Sequence, residues 1–234
     1  KLLSKDLNPT DVAAIVVEIQ LGEGGYIPSS PKFIQHLRKV CDKHGILLIF
    51  DEVQTGFGRT GKMFGSEQVN VEPDLVTLAK GIAGGFPLAA VVGQKDIMDS
   101  IHEAGIGSTF GASPISCAAA LGVFEAFDNE DILSNASLQE KLMKSSLNIA
   151  MDNHDFIGDV RGYGPMIGVE IVEDKKSKKP DKIKTNDIIN KCKNHGLLLV
   201  SCGKEGNVIR FMGPLTTPTN HVEEAMEIFS KSLN

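Results

Sequence analysis

Cysteine is scarce in this chain and unpaired in pattern: Cys41, Cys117, Cys192 and Cys202 include no Cys-x-x-Cys pair and no metal-type spacing. That excludes a zinc ribbon or a disulfide-framed domain and points to free thiols in a reducing, cytoplasmic compartment. No apolar run reaches the roughly 18 residues that cross a bilayer, and nothing resembles a signal peptide, so no membrane partner is expected. Lys and Arg cluster only over Lys175 to Lys182, a run that reads as a solvated loop. With a net charge of -6 and a pI near 5.5, a nucleic-acid surface is not expected either. The histidines never pair at i, i+3 or i, i+4, which leaves a helical metal site without ligands. No Gly-x-Ser-x-Gly elbow marks a serine hydrolase. Internal repeats and low-complexity tracts are absent too.

What is present suits a globular protein: 234 residues, 41% hydrophobic and 23% charged. Runs rich in Val, Ile and Leu at 13–18, 46–51, 75–79 and 88–93 are continuous rather than alternating, as in strands buried on both faces of a parallel α/β sheet. Ser30-Pro31 is a cap with proline at the first helical position, predicting a helix that closes at Gly45, and Ser113-Pro114 repeats the signal. The small residues after Pro114 would let that helix pack closely on the sheet. A helix over 136–154 then leads to an α+β region, with strands near 165–172, 197–201 and 207–212 and helices near 183–195 and 218–233. The expected division is a sheet domain over 1–135 and a small C-terminal domain over 136–234.

Two residues carry chemistry. Lys80 ends an apolar strand-like run just where Gly81, Gly84 and Gly85 begin, and Asp51 ends the run Ile46 to Phe50. A lysine held there can be desolvated, which lowers its pKa and frees its amine for Schiff-base formation. A carboxylate at a sheet's C-terminal edge can keep a pyridinium nitrogen protonated and make the ring an electron sink. The same residues also suit ordinary strand ends, and spacing alone leaves both readings open. A competing motif, Gly56-Phe57-Gly58-Arg59-Thr60-Gly61-Lys62, fits a nucleotide-binding P-loop until Met63, which stands where a hydroxyl must hold Mg²⁺.

Several ordered motifs resemble one family: Gly22-Glu23-Gly24-Gly25-Tyr26, Asp51-Glu52-Val53-Gln54-Thr55-Gly56, Ala79-Lys80-Gly81 and Gly107-Ser108-Thr109-Phe110. They resemble the class III (ω-) aminotransferases, fold-type I enzymes that use pyridoxal 5'-phosphate, and within them the branch acting on 4-aminobutyrate. The resemblance implies that Lys80 forms the Schiff base and shuttles the proton. By the same resemblance Asp51 binds the pyridine nitrogen, Val53 packs on the ring and Gln54 bonds its phenolic oxygen. Thr109 would reach the partner's cofactor phosphate across a homodimer or dimer of dimers. Arg210 would take the α-carboxylate of glutamate, and Glu23 would pair with it when an ω-amine substrate lacks a carboxylate there. The implied reaction moves an amino group from an ω-amino acid, 4-aminobutyrate, to the 2-oxo acid 2-oxoglutarate, giving succinate semialdehyde and glutamate. Acetylornithine, ornithine and diamine aminotransferases share the cofactor motifs and stay open as alternatives, as does a truncated, non-catalytic fold.

The family usually reads Glu-Pro-Val-Gln-Gly-Glu-Gly-Gly where this chain has Glu18-Ile19-Gln20-Leu21-Gly22-Glu23-Gly24-Gly25. Leu21 in place of glutamine and Ile19 in place of proline bear on backbone geometry and polar support near the substrate. Ser113 replaces the family's asparagine before Pro114, a milder change because serine also caps helices. The chain opens at Lys1 rather than Met, and family members run to roughly twice its length as a domain-size matter. It is therefore expected to be a C-terminal portion, inactive alone, without the phosphate-gripping loop and ring-stacking aromatic of the first half.

Overall fold

A computed structural model describes residues 5–102 and 105–234; Lys1 to Ser4, which open the chain, lie outside the described residues. The chain divides into two compact units. One comprises the described parts of Lys1–Ile19, Ser29–Phe57 and Phe64–Glu130; the other comprises Gln20–Pro28, Gly58–Met63 and Asp131–Asn234.

The first unit is built on a four-stranded sheet in the order β1 (Ala14–Val17), β2 (Leu47–Asp51), β3 (Leu75–Leu78), β4 (Ala90–Gly93). β1, β2 and β3 run parallel and β4 is antiparallel to β3, so the sheet is mixed and mostly parallel. Helix α1 (Pro31–His44) joins β1 to β2 as a crossover. Ser30 caps it, its hydroxyl accepting from Phe33 N at 3.2 Å, and Gly45 closes it in the left-handed conformation. Ile34 and Cys41, seven residues apart, are the buried stripe of this helix. Arg38, one turn beyond Ile34, bonds Asp42 at 2.8 Å and Asp74 at 2.9 Å, while Asp74 also accepts from Leu48 N at 2.7 Å. That network ties the helix to the start of β3.

Short helices α2 (Ser66–Val69) and α3 (Lys95–Met98) flank β3 and β4, and α4 (Pro114–Asn129) follows. Ser113 occupies the cap position of α4, but its side chain makes no capping hydrogen bond. The small face of α4 buries Ser116 and Ala120 and packs on the 3-10 turn Lys80–Ala83, while Ile115 and Leu121 are exposed.

In the second unit, α5 (Ile132–Asn153) starts earlier than the periodicity predicts. It is followed by β5 (Ile157–Tyr163), β6 (Met166–Ile171), α6 (Lys182–Asn194), β7 (Val200–Cys202), β8 (Val208–Phe211) and α7 (Thr219–Ser232). The sheet order is β5-β6-β8-β7, antiparallel throughout. The strand expected over 197–201 forms only from Val200. Period-2 alternation divides the side chains of β8: Ile209 and Phe211 join the core made with Leu147, Ile167 and Phe229, whereas Val208 packs with Tyr26, Met166 and Cys202. Arg210 shares the Val208 side of the strand.

Candidate functional site

Parallel register brings the cofactor candidates of the first unit to one sheet edge. Asp51 is the last residue of β2 and lies opposite Thr77, so it and the residues leaving β3 meet at the C-terminal edge. In open α/β sheets that edge is where ligands bind. Asp51 is half-buried, and its Oδ1 accepts from Val53 N at 3.0 Å. One carboxylate oxygen is thus committed to the backbone and the other is not. Val53 is half-buried, and Gln54 is 8% exposed with its Oε1 lacking a hydrogen-bond partner among the described residues. A buried amide with an open end is costly unless a ligand completes it. A ring hydroxyl would complete it, which is how this edge fits pyridoxal phosphate.

Lys80 adopts φ +47, a left-handed conformation uncommon for a side chain of its size, and opens the 3-10 turn Lys80–Ala83. Buried Ile82 and Ala83 pin that turn. Lys80 itself is exposed, so the desolvation expected of it is not supplied by the described residues. Thr109 lies apart from Asp51, Gln54 and Lys80 in hydrogen bonding, on an exposed turn closed by Gly111 N to Ser108 O at 3.2 Å.

Glu52, which follows Asp51 in the motif, has a structural use that the motif alone does not show. Its carboxylate is fully buried with no cationic partner among the described residues, accepting from Thr55 Oγ1, from Gly65 N at 2.9 Å and from Ser66 N at 2.7 Å. A Cβ at Gly65 would lie 2.9 Å from Glu52 Oε2, so glycine is what lets that amide approach. Glu52 thereby holds the turn on which Asp51, Val53 and Gln54 sit. An acid directly after Asp51 in a buried strand end was the available signal. The P-loop mimic has a different use for its amides: Gly58 N donates to Met63 O and Gly61 N to Gly58 O, leaving neither for a phosphate.

In the second unit Arg210 Nη1 meets Glu23 Oε1 at 2.5 Å. Burial draws the guanidinium's pKa down, but the Glu23 hydrogen bond and the nearby acidic groups hold it above its ordinary value. Arg210 borders a cavity of about 350 Å³ with mostly apolar walls, among them Leu197, Met212 and Val222. Tyr26 is fully buried nearby, its hydroxyl donating to Met212 Sδ at 3.2 Å. Burial pushes its pKa up to about 12, against the pull of Arg210, and pushes the Cys202 thiol up to about 11.

The polar support in question around Leu21 comes from its neighbour. Gln20 is fully buried, donating Nε2 to Met166 O at 2.8 Å and accepting from Tyr163 N at 2.7 Å. Among the described residues no helix is long and apolar enough to cross a membrane.

The family model for aminotransferase class-III matches residues 2–233. The 4-aminobutyrate aminotransferase of Escherichia coli (strain K12) is 46% identical over 231 residues, covering 99% of this chain and 54% of that protein. The 5-aminovalerate aminotransferase of Pseudomonas aeruginosa is 43% identical over the same length and coverage. Among solved structures, the omega transaminase from Pseudomonas jessenii in complex with PMP superimposes with a TM-score of 0.91 at 29% identity, covering 99% of this chain and 52% of that one. The chain thus spans about half the length of the relatives it matches.

Proposed function

The chain belongs to the class III aminotransferase family, and from that premise we propose that it supplies the lysine, the ring-binding acid and the carboxylate switch of a pyridoxal-phosphate-dependent transaminase. When bound, pyridoxal phosphate supplies an aldehyde for an amine to condense with and a ring that draws electrons from the substrate carbon. Lys80 would hold the group through its amine and would carry the proton to and from the substrate carbon that bears the nitrogen. Asp51 would keep the ring nitrogen protonated, Val53 would pack on the ring and Gln54 would complete its open amide on the ring oxygen. The left-handed turn at Lys80 supports this reading, since backbone strain of this kind collects at functional sites.

The substrate reading rests on one observation: Arg210, mostly sheltered, is neutralised by a carboxylate that is itself mostly exposed. Glu23 can leave without unfolding anything, and a substrate α-carboxylate can take its place bidentately. A pocket that alternates between these states accepts both a donor with no carboxylate at that position and glutamate. We therefore propose 4-aminobutyrate as donor and 2-oxoglutarate as acceptor, giving succinate semialdehyde and glutamate. The names of the two relatives, for 4-aminobutyrate and 5-aminovalerate, support an ω-amino acid. Thr109, exposed on its turn, would serve the cofactor phosphate of a second copy in a homodimer. The four free thiols suit a cytoplasmic setting.

An amino-donor panel on a protein carrying this chain at its relatives' full length tests the reading. The expected result is 4-aminobutyrate favoured over ornithine; the reverse order refutes it. The 234-residue chain alone is expected to be inactive and to hold no stable visible band with added pyridoxal phosphate. A stable band abolished by Lys80→Ala would overturn that expectation.

A further inference from the structure

The side chain of Glu23 is 74% exposed, yet hydrogen bonds hold the backbone that carries it. Gly203 N donates to Glu23 O at 2.9 Å. Two residues on, the carbonyl of Gly25 accepts two hydrogen bonds from a single guanidinium, Arg161 Nε at 3.0 Å and Nη2 at 2.8 Å. Gly25 has φ +113, and a Cβ there would lie 3.4 Å from Gly203 Cα and 3.5 Å from Arg161 Nη2. Glycine therefore lets the loop close on its clamp. Arg161 is itself held on β5, its side chain 14% exposed and its Nη1 donating to Asp159 at 3.0 Å and to Glu170.

We propose that Arg161 is the positioning residue of the Glu23–Arg210 pair: it fixes the loop from which Glu23 reaches Arg210, so that Glu23 yields to a substrate carboxylate by side-chain rotation on an unmoving mount. The proposal rests on the reading of Arg210 as carboxylate receptor. Charge separates the two arginines. Arg161 faces two carboxylates and a carbonyl, all its own, and has no attraction left for a substrate anion. Arg210 faces one carboxylate on a freely rotating arm. An incoming carboxylate is directed to Arg210 because Arg161 is already neutralised. A lysine at 161 would keep the charge but lose the planar fork that grips one carbonyl with two donors.

The test uses an isotope-labelled protein carrying this chain at its relatives' full length, without cofactor. Arg210 Nε is buried and has no hydrogen-bond partner among the described residues, so its N–H resonance reports on the guanidinium. Glu23→Gln should shift that resonance, and Arg161→Lys should shift it part-way in the same direction. In the Glu23→Gln background, Arg161→Lys should add nothing, whereas a general loosening of the fold would add its effect regardless. Glutarate, titrated as the probe carboxylate, should bind about two- to fivefold more tightly to either single variant than to the parent chain, the range for losing one exposed competing ion pair. The proposal is overturned if Arg161→Lys leaves the Arg210 resonance and glutarate affinity unchanged, or shifts them equally with and without Glu23. If Arg161→Lys does not reproduce the parent fold, Glu170→Gln keeps the guanidinium but removes one anchor. It must then move the Arg210 resonance the same way, and no movement also overturns the proposal. Glutarate that perturbs Arg210 in no variant refutes the carboxylate-receptor reading instead, while the resonance comparison still decides the role of Arg161.

Discussion

Arg210 and Glu23 meet at 2.5 Å across unequal surroundings, the arginine side chain 19% exposed and the glutamate 74%. A pair with one partner largely in water gains little stability, because solvent screens it and the free side chain loses entropy on pairing. Glu23→Gln should therefore change the unfolding free energy by less than about 1 kcal/mol. Urea unfolding of the two chains measures this. A loss of several kcal/mol would mean that the pair is a structural bridge, and a substrate could not displace Glu23 at acceptable cost.

Glu52 should behave in the opposite way. Its fully buried carboxylate satisfies Gly65 N, the Thr55 hydroxyl and the part-buried Ser66 N. Glu52→Ala leaves those donors without acceptors, a loss of about 3 kcal/mol. Glu52→Gln retains one acceptor and should lose roughly half as much. The same unfolding experiment checks both; an alanine variant within about 1 kcal/mol of the parent chain would show that the turn carrying Asp51 and Gln54 is held by something else.

The contrast between these acids also shows where local sequence stops being informative. β2 and β3 were legible because buried parallel strands are written as unbroken apolar runs, and the placement of Asp51 and Lys80 at one edge followed from that. β5 was not legible. Gly158, Arg161 and Gly162 interrupt it, and its alternation is visible only once β6 lies beside it. Gln20 is a similar case: Leu21 marks a lost glutamine, but the amide one position earlier finds acceptor and donor 146 and 143 residues away. Lys80 was located by pattern, whereas the burial expected of it was not found: the described residues leave it exposed.

Two Ser-Pro signals that look alike in sequence should part in experiment. Ser30 accepts from Phe33 N at 3.2 Å, while Ser113 makes no side-chain capping bond. Ser30→Ala should cost about 1 kcal/mol, a typical cap loss, and Ser113→Ala should be near neutral. Thermal or urea unfolding of the two variants compares them directly, and equal losses would contradict the difference in geometry.

Tyr26 sets a high-pH limit on the second unit. Burial stabilises its neutral phenol and raises its pKa from 10.0 to about 12, with Arg210 opposing. Above the unfolded pKa the unfolded chain releases this proton while the folded chain retains it, so the unfolded state binds fewer protons and stability falls as pH rises. The contribution is fully present below about pH 10 and is lost progressively toward about pH 12. Between about pH 9 and pH 11 the parent chain should lose about 1 kcal/mol more than Tyr26→Phe, which has no proton to release. The Cys202 thiol, raised to about 11 by burial, loses stability in the same direction but is common to both chains and cancels in the comparison. Urea unfolding at the two pH values gives the difference. Parallel losses in the two chains would mean that the phenol reaches water in the folded state and that the cluster beneath Arg210 is open rather than closed.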